Sequence, residues 1–296
     1  MRRKPQPSTF SIVAHDSEAE EWGIAVQSKF LAAAAVVSWA EANAGAVATQ
    51  ARANMKYGPD GLNLLSDGES ASEVVNLLTE SDEGASDRQL AVVDSQGQAA
   101  AFTGEDCLDW AGHHTGDGYS CQGNILAGPQ VVKAMAEDFE SSSGPLADRL
   151  VSALHAGQQA GGDRRGQQSA GLLVVREGGS YGGTTDRYID LRVDDHPAPI
   201  DKLSRLLNLF YLYFEQPDPD MMLVLQGDVA QETKEHLAAL GYKVDTDSTD
   251  FGQDASKALD DWVAQENFEM RMQKDGMIDP DVLKYLREEY EGKDIH

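Results

Sequence analysis

Eight short stretches carry the alternating or continuous apolar pattern of β-strands: Thr9–Ala14, Gly23–Ser28, Ala44–Ala51, Gln89–Asp94, Ala99–Thr103, Tyr119–Leu126, Gly171–Arg176 and Tyr188–Val193. Turn-forming runs separate several of them, among them Asp94-Ser95-Gln96-Gly97 and Glu177-Gly178-Gly179. Four stretches between or after the strands have helical spacing instead. They are marked by Val74, Val75, Leu77 and Leu78; by Val131, Val132, Met135 and Phe139; by Leu146, Leu150, Val151 and Leu154; and by Ile200, Leu203, Leu206, Leu207, Phe210, Tyr211 and Phe214. Strands come in consecutive pairs with helices grouped between them, a pattern that predicts antiparallel sheets covered by helices, not a doubly wound parallel sheet.

Two prolines and three acids in Glu215-Gln216-Pro217-Asp218-Pro219-Asp220 then predict a boundary, giving domains over 8–215 and 220–296. The second is helical in pattern. Leu237 and Leu240 precede a C-terminal Gly241, and Ala258, Leu259, Trp262, Val263 and Phe268 form a stripe. Asp279-Pro280 reads as an N-cap and first-turn proline ahead of Val282, Leu283, Leu286 and Tyr290. Three helices of this kind make a small all-α module, near the lower size limit for a self-sufficient core.

Hydrophobic residues are 41% of the 296, enough for a real core. Acidic residues number 50 against 24 basic, a formal net charge of -26 that excludes nucleic acid and anionic membranes as partners. Such an excess spread along a chain suits a salt-accumulating, halophilic cytoplasm, where screening acts over a few Å. The basic start Met1-Arg2-Arg3-Lys4 has no apolar stretch behind it, so no secretory signal is expected and the protein is read as cytoplasmic. Cys107 and Cys121 are then expected as reduced thiols. Phosphate-loop, serine-elbow, zinc-protease and paired-cysteine signatures are absent, and His113-His114 would point to opposite faces of a strand. No metal or cofactor is implied.

The opening hairpin carries the chemistry. A Thr that begins a strand, with Lys29 twenty residues later on the partner strand, resembles the N-terminal-nucleophile (Ntn) hydrolases. There the Thr hydroxyl attacks an amide carbonyl and its own α-amine, with a pKa of about 7.7–8.0, serves as base. Further runs follow in order: Ala44-Gly45-Ala46-Val47-Ala48-Thr49-Gln50, Gln89-Leu90-Ala91-Val92-Val93-Asp94, Trp110-Ala111-Gly112-His113, Tyr119-Ser120-Cys121-Gln122-Gly123-Asn124, Gly161-Gly162-Asp163-Arg164-Arg165-Gly166 and Asp186-Arg187-Tyr188-Ile189-Asp190. With them the chain, over about residues 8–214, resembles domain-of-unknown-function family 1028, a prokaryotic group classed with the Ntn hydrolases. The resemblance implies an α+β fold, specifically a four-layer αββα sandwich, and an amide-bond hydrolase. The tail, through Trp262-Val263-Ala264-Gln265-Glu266-Asn267-Phe268 and Ile278-Asp279-Pro280, resembles a small helical domain labelled peptidoglycan-binding. Without export there is no wall to bind, which leaves peptidoglycan a doubtful partner and favours packing or homo-oligomerisation.

Within this reading Thr9 is the nucleophile, Lys29 lowers the basicity of its amine, and Asn124 offers an amide to the oxyanion. Ser28 and Gln122 flank these groups as substrate contacts. Asp163, Arg164 and Arg165 lie in a Gly-rich loop and suit either ordinary solvation or a fork for a substrate carboxylate. Asn54 and Tyr57 are candidate pocket-lining groups. A small acylated or ureido-type substrate, anionic ones included, is expected. Two departures matter. Eight residues precede Thr9, so its nitrogen becomes an amine only when they are removed. Gln27 stands where typical proteasome-type Ntn hydrolases place an aspartate. A non-catalytic ligand-binding or interaction protein on the same fold, or wall-binding through the C-terminal domain, is the alternative.

Overall fold

The structure, a computed structural model, describes residues 9–273 and 276–292. It divides into two compact units, Met1–Leu207 and Asn208–His296. The first opens with the hairpin β1 (Thr9–Asp16) and β2 (Glu21–Ser28), followed by α1 (Ala34–Val37), β3 (Ser38–Glu41) and β4 (Gly45–Ala51). Next come α2 (Tyr57–Ser66), α3 (Ala71–Glu80), β5 (Arg88–Asp94), β6 (Ala99–Thr103), β7 (Gly112–Gly116) and β8 (Tyr119–Asn124). The series continues with α4 (Gln130–Ser141), α5 (Leu146–Gln159), β9 (Ser169–Val175), β10 (Arg187–Val193) and α6 (Pro199–Phe214).

Two sheets result, in the orders β10-β9-β2-β1-β8-β7 and β3-β4-β5-β6. Their described pairings are antiparallel, as the paired strands predict. Successive side chains on a strand point to opposite faces, so each strand splits its residues between two layers. Val13, Trp22, Ile24 and Val26 of the larger sheet pack with Ala46, Ala48, Ala91 and Val93 of the smaller. The other face of the smaller sheet, with Val47, Leu90 and Val92, packs on Tyr57, Leu65, Val74, Val75 and Leu78 of α2 and α3. On the outer face of the larger sheet, Gly23 has no room for a side chain: a Cβ there would lie 2.5 Å from a methyl of Leu150 on α5. Phe10, Ile12, Ile24 and Leu90 are fully buried, each worth about 1.5–3 kcal/mol of transfer free energy.

All eight predicted strands are present, with ends shifted by a residue or two. The apolar pattern misses β3, β7, α1 and α2. Helix α2 reads poorly because Tyr57-Gly58-Pro59-Asp60-Gly61 has two glycines and a proline, all weak helix formers, in its first turns. Close packing explains one of them, since a Cβ on Gly58 would sit 2.1 Å from the Trp39 ring.

The second unit contains the last part of α6, a two-residue ribbon of β11 (Leu223–Val224) and β12 (Met277–Ile278), and the three expected helices. These are α7 (Gly227–Ala239), α8 (Gln253–Gln265) and α9 (Pro280–Tyr290). Trp262, Phe268, Leu237, Leu283 and Leu286 form its core. Gly241 follows α7 at φ 97, and Asp279 caps α9 by accepting from the Asp281 N–H. No helix among the described residues is long and apolar enough to cross a membrane.

Candidate functional site

Five strands place their polar ends at one end of the space between the sheets. Thr9 begins β1, Ser28 ends β2, Asn124 ends β8, Gln50 is next to last in β4 and Gln89 is second in β5. Thr9 is the register partner of Ser28 on one side and of Asn124 on the other. Alternation puts Thr9 and Ser11 on the same face as the core residue Val13, so both point between the sheets. The Thr9 and Ser28 hydroxyls are 3.1 Å apart and share a hydrogen bond. Thr9, Ser28 and Asn124 are 1%, 0% and 2% exposed, so the group is a buried polar cluster.

Behind it runs a continuous chain of hydrogen bonds. Ser120 donates to Gln122 (2.9 Å), Gln122 to Ser11 (2.7 Å), Ser11 to Gln50 (2.7 Å) and Gln50 to Gln89 (2.8 Å). Gln89 also accepts from Asn124 at 3.2 Å, and its Nε2 donates to the Gly123 and Gly112 carbonyls and to Thr103. Thr103 meets Nδ1 of His113, whose pKa is lowered by burial and by neighbouring His114. Buried polar groups are costly unless partnered, and this cluster supplies the partners internally.

The Gly-rich loop sits at the ends of β2 and β8. Gly161 and Gly162 take φ of 119 and 51, a left-handed turn that lets Ala127 N–H reach the Gly162 carbonyl. Asp163 is buried and accepts from the backbone N–H groups of Lys29 (3.0 Å) and Arg165 (2.8 Å), while Gln168 N–H donates to the Ser28 carbonyl. Asp163 therefore organises backbone at the hairpin end. Arg164 is exposed, and the Arg165 Nε lies 3.7 Å from Asp163. The Lys29 ammonium is exposed and donates to the Gln167 carbonyl at 3.0 Å. Gln27 falls on the opposite face of β2 from Ser28, and neither amide atom has a hydrogen-bond partner among the described residues.

Asn54 and Tyr57 belong to a second cluster. Both donate to Asp82 at 3.0 Å, and Arg88 Nε joins at 2.9 Å. The Arg88 guanidinium holds the Asp82 carboxyl well below the usual range, and burial together with Asp82 pushes Tyr57 above its own. Because the folded pKa of Asp82 is depressed below its unfolded value of about 3.9, its contribution to stability is present above that value and lost as pH falls toward the folded one. Urea melts between pH 3 and 7 are expected to show a steeper acid loss for the parent than for Asp82→Asn. Identical slopes would count against this linkage. Cys107 and Cys121 are free thiols; burial raises Cys107 to about 11, which makes it a poor nucleophile. No group of three or more metal-ligating side chains occurs among the described residues.

The sequence singled out Thr9, Ser28, Gln122 and Asn124, which the structure brings into one cluster, but not Gln50 and Gln89. Their signal was available: each is a glutamine in a strand with an apolar run, Ala46-Val47-Ala48 in one and Leu90-Ala91-Val92-Val93 in the other, and the two are register partners.

Two antiparallel sheets flanked by helices, with a buried hydroxyl and amide cluster at one end and a helical unit following in sequence, define a mixed α/β protein of two parts. The chain belongs to the family of unknown function DUF1028, whose model matches residues 9–203. Among solved structures it is similar to protein SPO2555 from Silicibacter pomeroyi, also assigned to that family. The two are 34% identical, with a TM-score of 0.63 over 76% of this chain and 89% of that one. Residues 213–286 match a model described as "Putative peptidoglycan binding domain", which runs against the expectation that set peptidoglycan aside. No curated protein matches the chain.

Proposed function

We propose that the first unit is an amide-bond hydrolase of the N-terminal-nucleophile type on a four-layer αββα sandwich, acting on a small acylated or ureido-type substrate. The observation that carries this reading is the Thr9 hydroxyl at the start of a central strand, 3.1 Å from Ser28 Oγ and in register with Asn124. Support for the layering comes from α5 packed on one face of the larger sheet, the smaller sheet on its other face, and α2 and α3 beyond.

The chemistry starts with removal of residues 1–8, which converts the Thr9 nitrogen from an amide into an amine. That amine takes the Thr9 hydroxyl proton as Oγ1 attacks the substrate carbonyl. An Asn124 N–H and backbone N–H groups stabilise the oxyanion, and the proton passes to the departing amine. Water then hydrolyses the Thr9 ester by the reverse sequence. Ser28 orients the Thr9 hydroxyl through their shared hydrogen bond. Lys29, Arg164 and Arg165, on and beside the Gly-rich loop, suit attraction of a substrate carboxylate. With its ammonium at the Gln167 carbonyl, Lys29 acts on charge at longer range.

Intact mass of the purified protein, paired with a panel of N-acyl amino acids, ureido compounds and small peptides, tests the reading. Loss of residues 1–8 together with hydrolysis is expected; hydrolysis by an uncut chain would overturn the amine-base mechanism.

For the second unit, the family match favours binding to peptidoglycan. The full chain is expected to cosediment with purified cell-wall sacculi at physiological salt, and recovery in the supernatant would remove that reading.

A further inference from the structure

We infer that Gln89 is a positioning residue: it turns the Asn124 side chain so that its NH2 group, and not its carbonyl, lies in the cluster beside Thr9. This rests on the proposed role of Asn124 as a donor to the oxyanion. The two ends of a primary amide have nearly the same shape, so their sense follows from partners of fixed character. Gln89 has such partners. The backbone carbonyls of Gly123 (2.8 Å) and Gly112 (3.1 Å) only accept, so the Gln89 atom facing them is the donor Nε2. Its Oε1 is then turned toward Asn124 and Gln50 and accepts from both, at 3.2 and 2.8 Å.

The same logic propagates. Gln50 gives its NH2 to Gln89, so its Oε1 faces Ser11, which donates to it at 2.7 Å. The Ser11 oxygen then accepts from Gln122 at 2.7 Å, and Gln122 in turn accepts from Ser120 at 2.9 Å. Two backbone carbonyls thereby set the sense of every side chain in the row. A reversed Asn124 would oppose its Oδ1 to the Gln89 oxygen in a buried site, where an unmatched pair of acceptors is expensive. One proton of Asn124 Nδ2 is directed to Gln89. The second is on the same nitrogen, on the strand residue in register with Thr9. Preorganised donors of this kind need no reorientation as charge develops, which is the condition for strong oxyanion stabilisation.

The test uses the full-length gene product and a β-lactone as probe. Thr9 Oγ1 attacks the lactone carbonyl and the ring acyl–oxygen bond breaks. The Thr9 proton passes through the α-amine to the released alkoxide, so the whole lactone mass is added. Gln89→Met is expected to lower the limiting acylation rate by about 10- to 100-fold while leaving the half-saturating lactone concentration within about twofold. In an Asn124→Ala background the same change is expected to add less than about a twofold loss, the mark of two residues acting as one unit. An unchanged limiting rate, or an equal loss in both backgrounds, overturns the inference.

Should Gln89→Met fail to fold, Gln89→Glu goes through the same cycle. Its carboxylate cannot donate to Gly112 and Gly123. A wild-type protein acylated no faster than Thr9→Ala would defeat the hydrolase reading alone. Gln89 is then judged by NMR hydrogen exchange. An Asn124 side-chain N–H protected in wild type and unprotected in Gln89→Met upholds the inference, and equal exchange in the two overturns it.

Discussion

Thr9→Ala is expected to abolish amide hydrolysis, lowering kcat/KM by at least about a thousandfold, because it removes the atom that forms the covalent bond. Ser28 cannot substitute for it. Although its hydroxyl is 3.1 Å from that of Thr9, Ser28 closes a strand in mid-chain and has no α-amine to act as base. Thr9→Ser keeps a hydroxyl and an amine in the same place and is expected to retain measurable turnover. The pH dependence follows from the base. The amine works only when deprotonated, so activity is expected to rise with pH through its pKa, which is about 7.7–8.0 for an unperturbed α-amine and lower beside a cation, and to fall below it. Initial rates on any hydrolysed substrate, with trapping of the acyl adduct by intact mass, give the answer. Turnover unchanged in Thr9→Ala would end the nucleophile assignment, and a pH profile flat from 6 to 9 would end the amine-base role.

The distance between what the sequence conveys and what the fold adds is clearest at this site. Thr9 and Ser28 are legible because strand alternation and the hairpin bring them together through local rules, whereas Gln122 and Asn124, on a strand far along the chain, are reached through the family resemblance. Asn54 and Tyr57 read as pocket residues because they follow β4, yet their partner Asp82 lies after α3 and its position depends on Arg88 at the start of β5. Asp163 shows the same limit. As one acid among 50 it looks like a solvated loop charge, but closure of the Gly161–Gly162 turn buries it against the Lys29 and Arg165 backbone. Local pattern specifies strands and caps. The partner of a polar side chain is fixed by long-range packing, which composition and spacing do not encode. The edge strand β3 and helix α2 were missed for a related reason, since Gly58 is explained by the Trp39 ring 19 residues earlier.

Asp279→Ala is expected to unfold the second unit while leaving the first intact. Arg271 and Asp279 form a 2.7 Å ion pair with side chains 5% and 2% exposed. The guanidinium also donates to the Leu212 carbonyl at 3.0 Å and to that of Tyr211, tying the end of α6 to the segment before β12. Asp279 in addition caps α9 through the Asp281 N–H at 2.8 Å. Removing the carboxylate leaves a buried cation with backbone carbonyls and the exposed Asp281, a loss of about 3–5 kcal/mol for the pair and about 1 kcal/mol for the cap. Small domains have only about 5–15 kcal/mol of stability, so this is a large fraction of the total. Hydrogen-exchange mass spectrometry of the full chain is expected to show lost protection across α7, α8 and α9 with β1, β2 and β8 unchanged. The Arg271→Met, Asp279→Ala double variant, which leaves no unpaired charge, is expected to recover part of that protection despite the missing cap. Full protection in the single variant would show that the ion pair contributes little, and a double variant no better than the single would shift the loss to the cap alone.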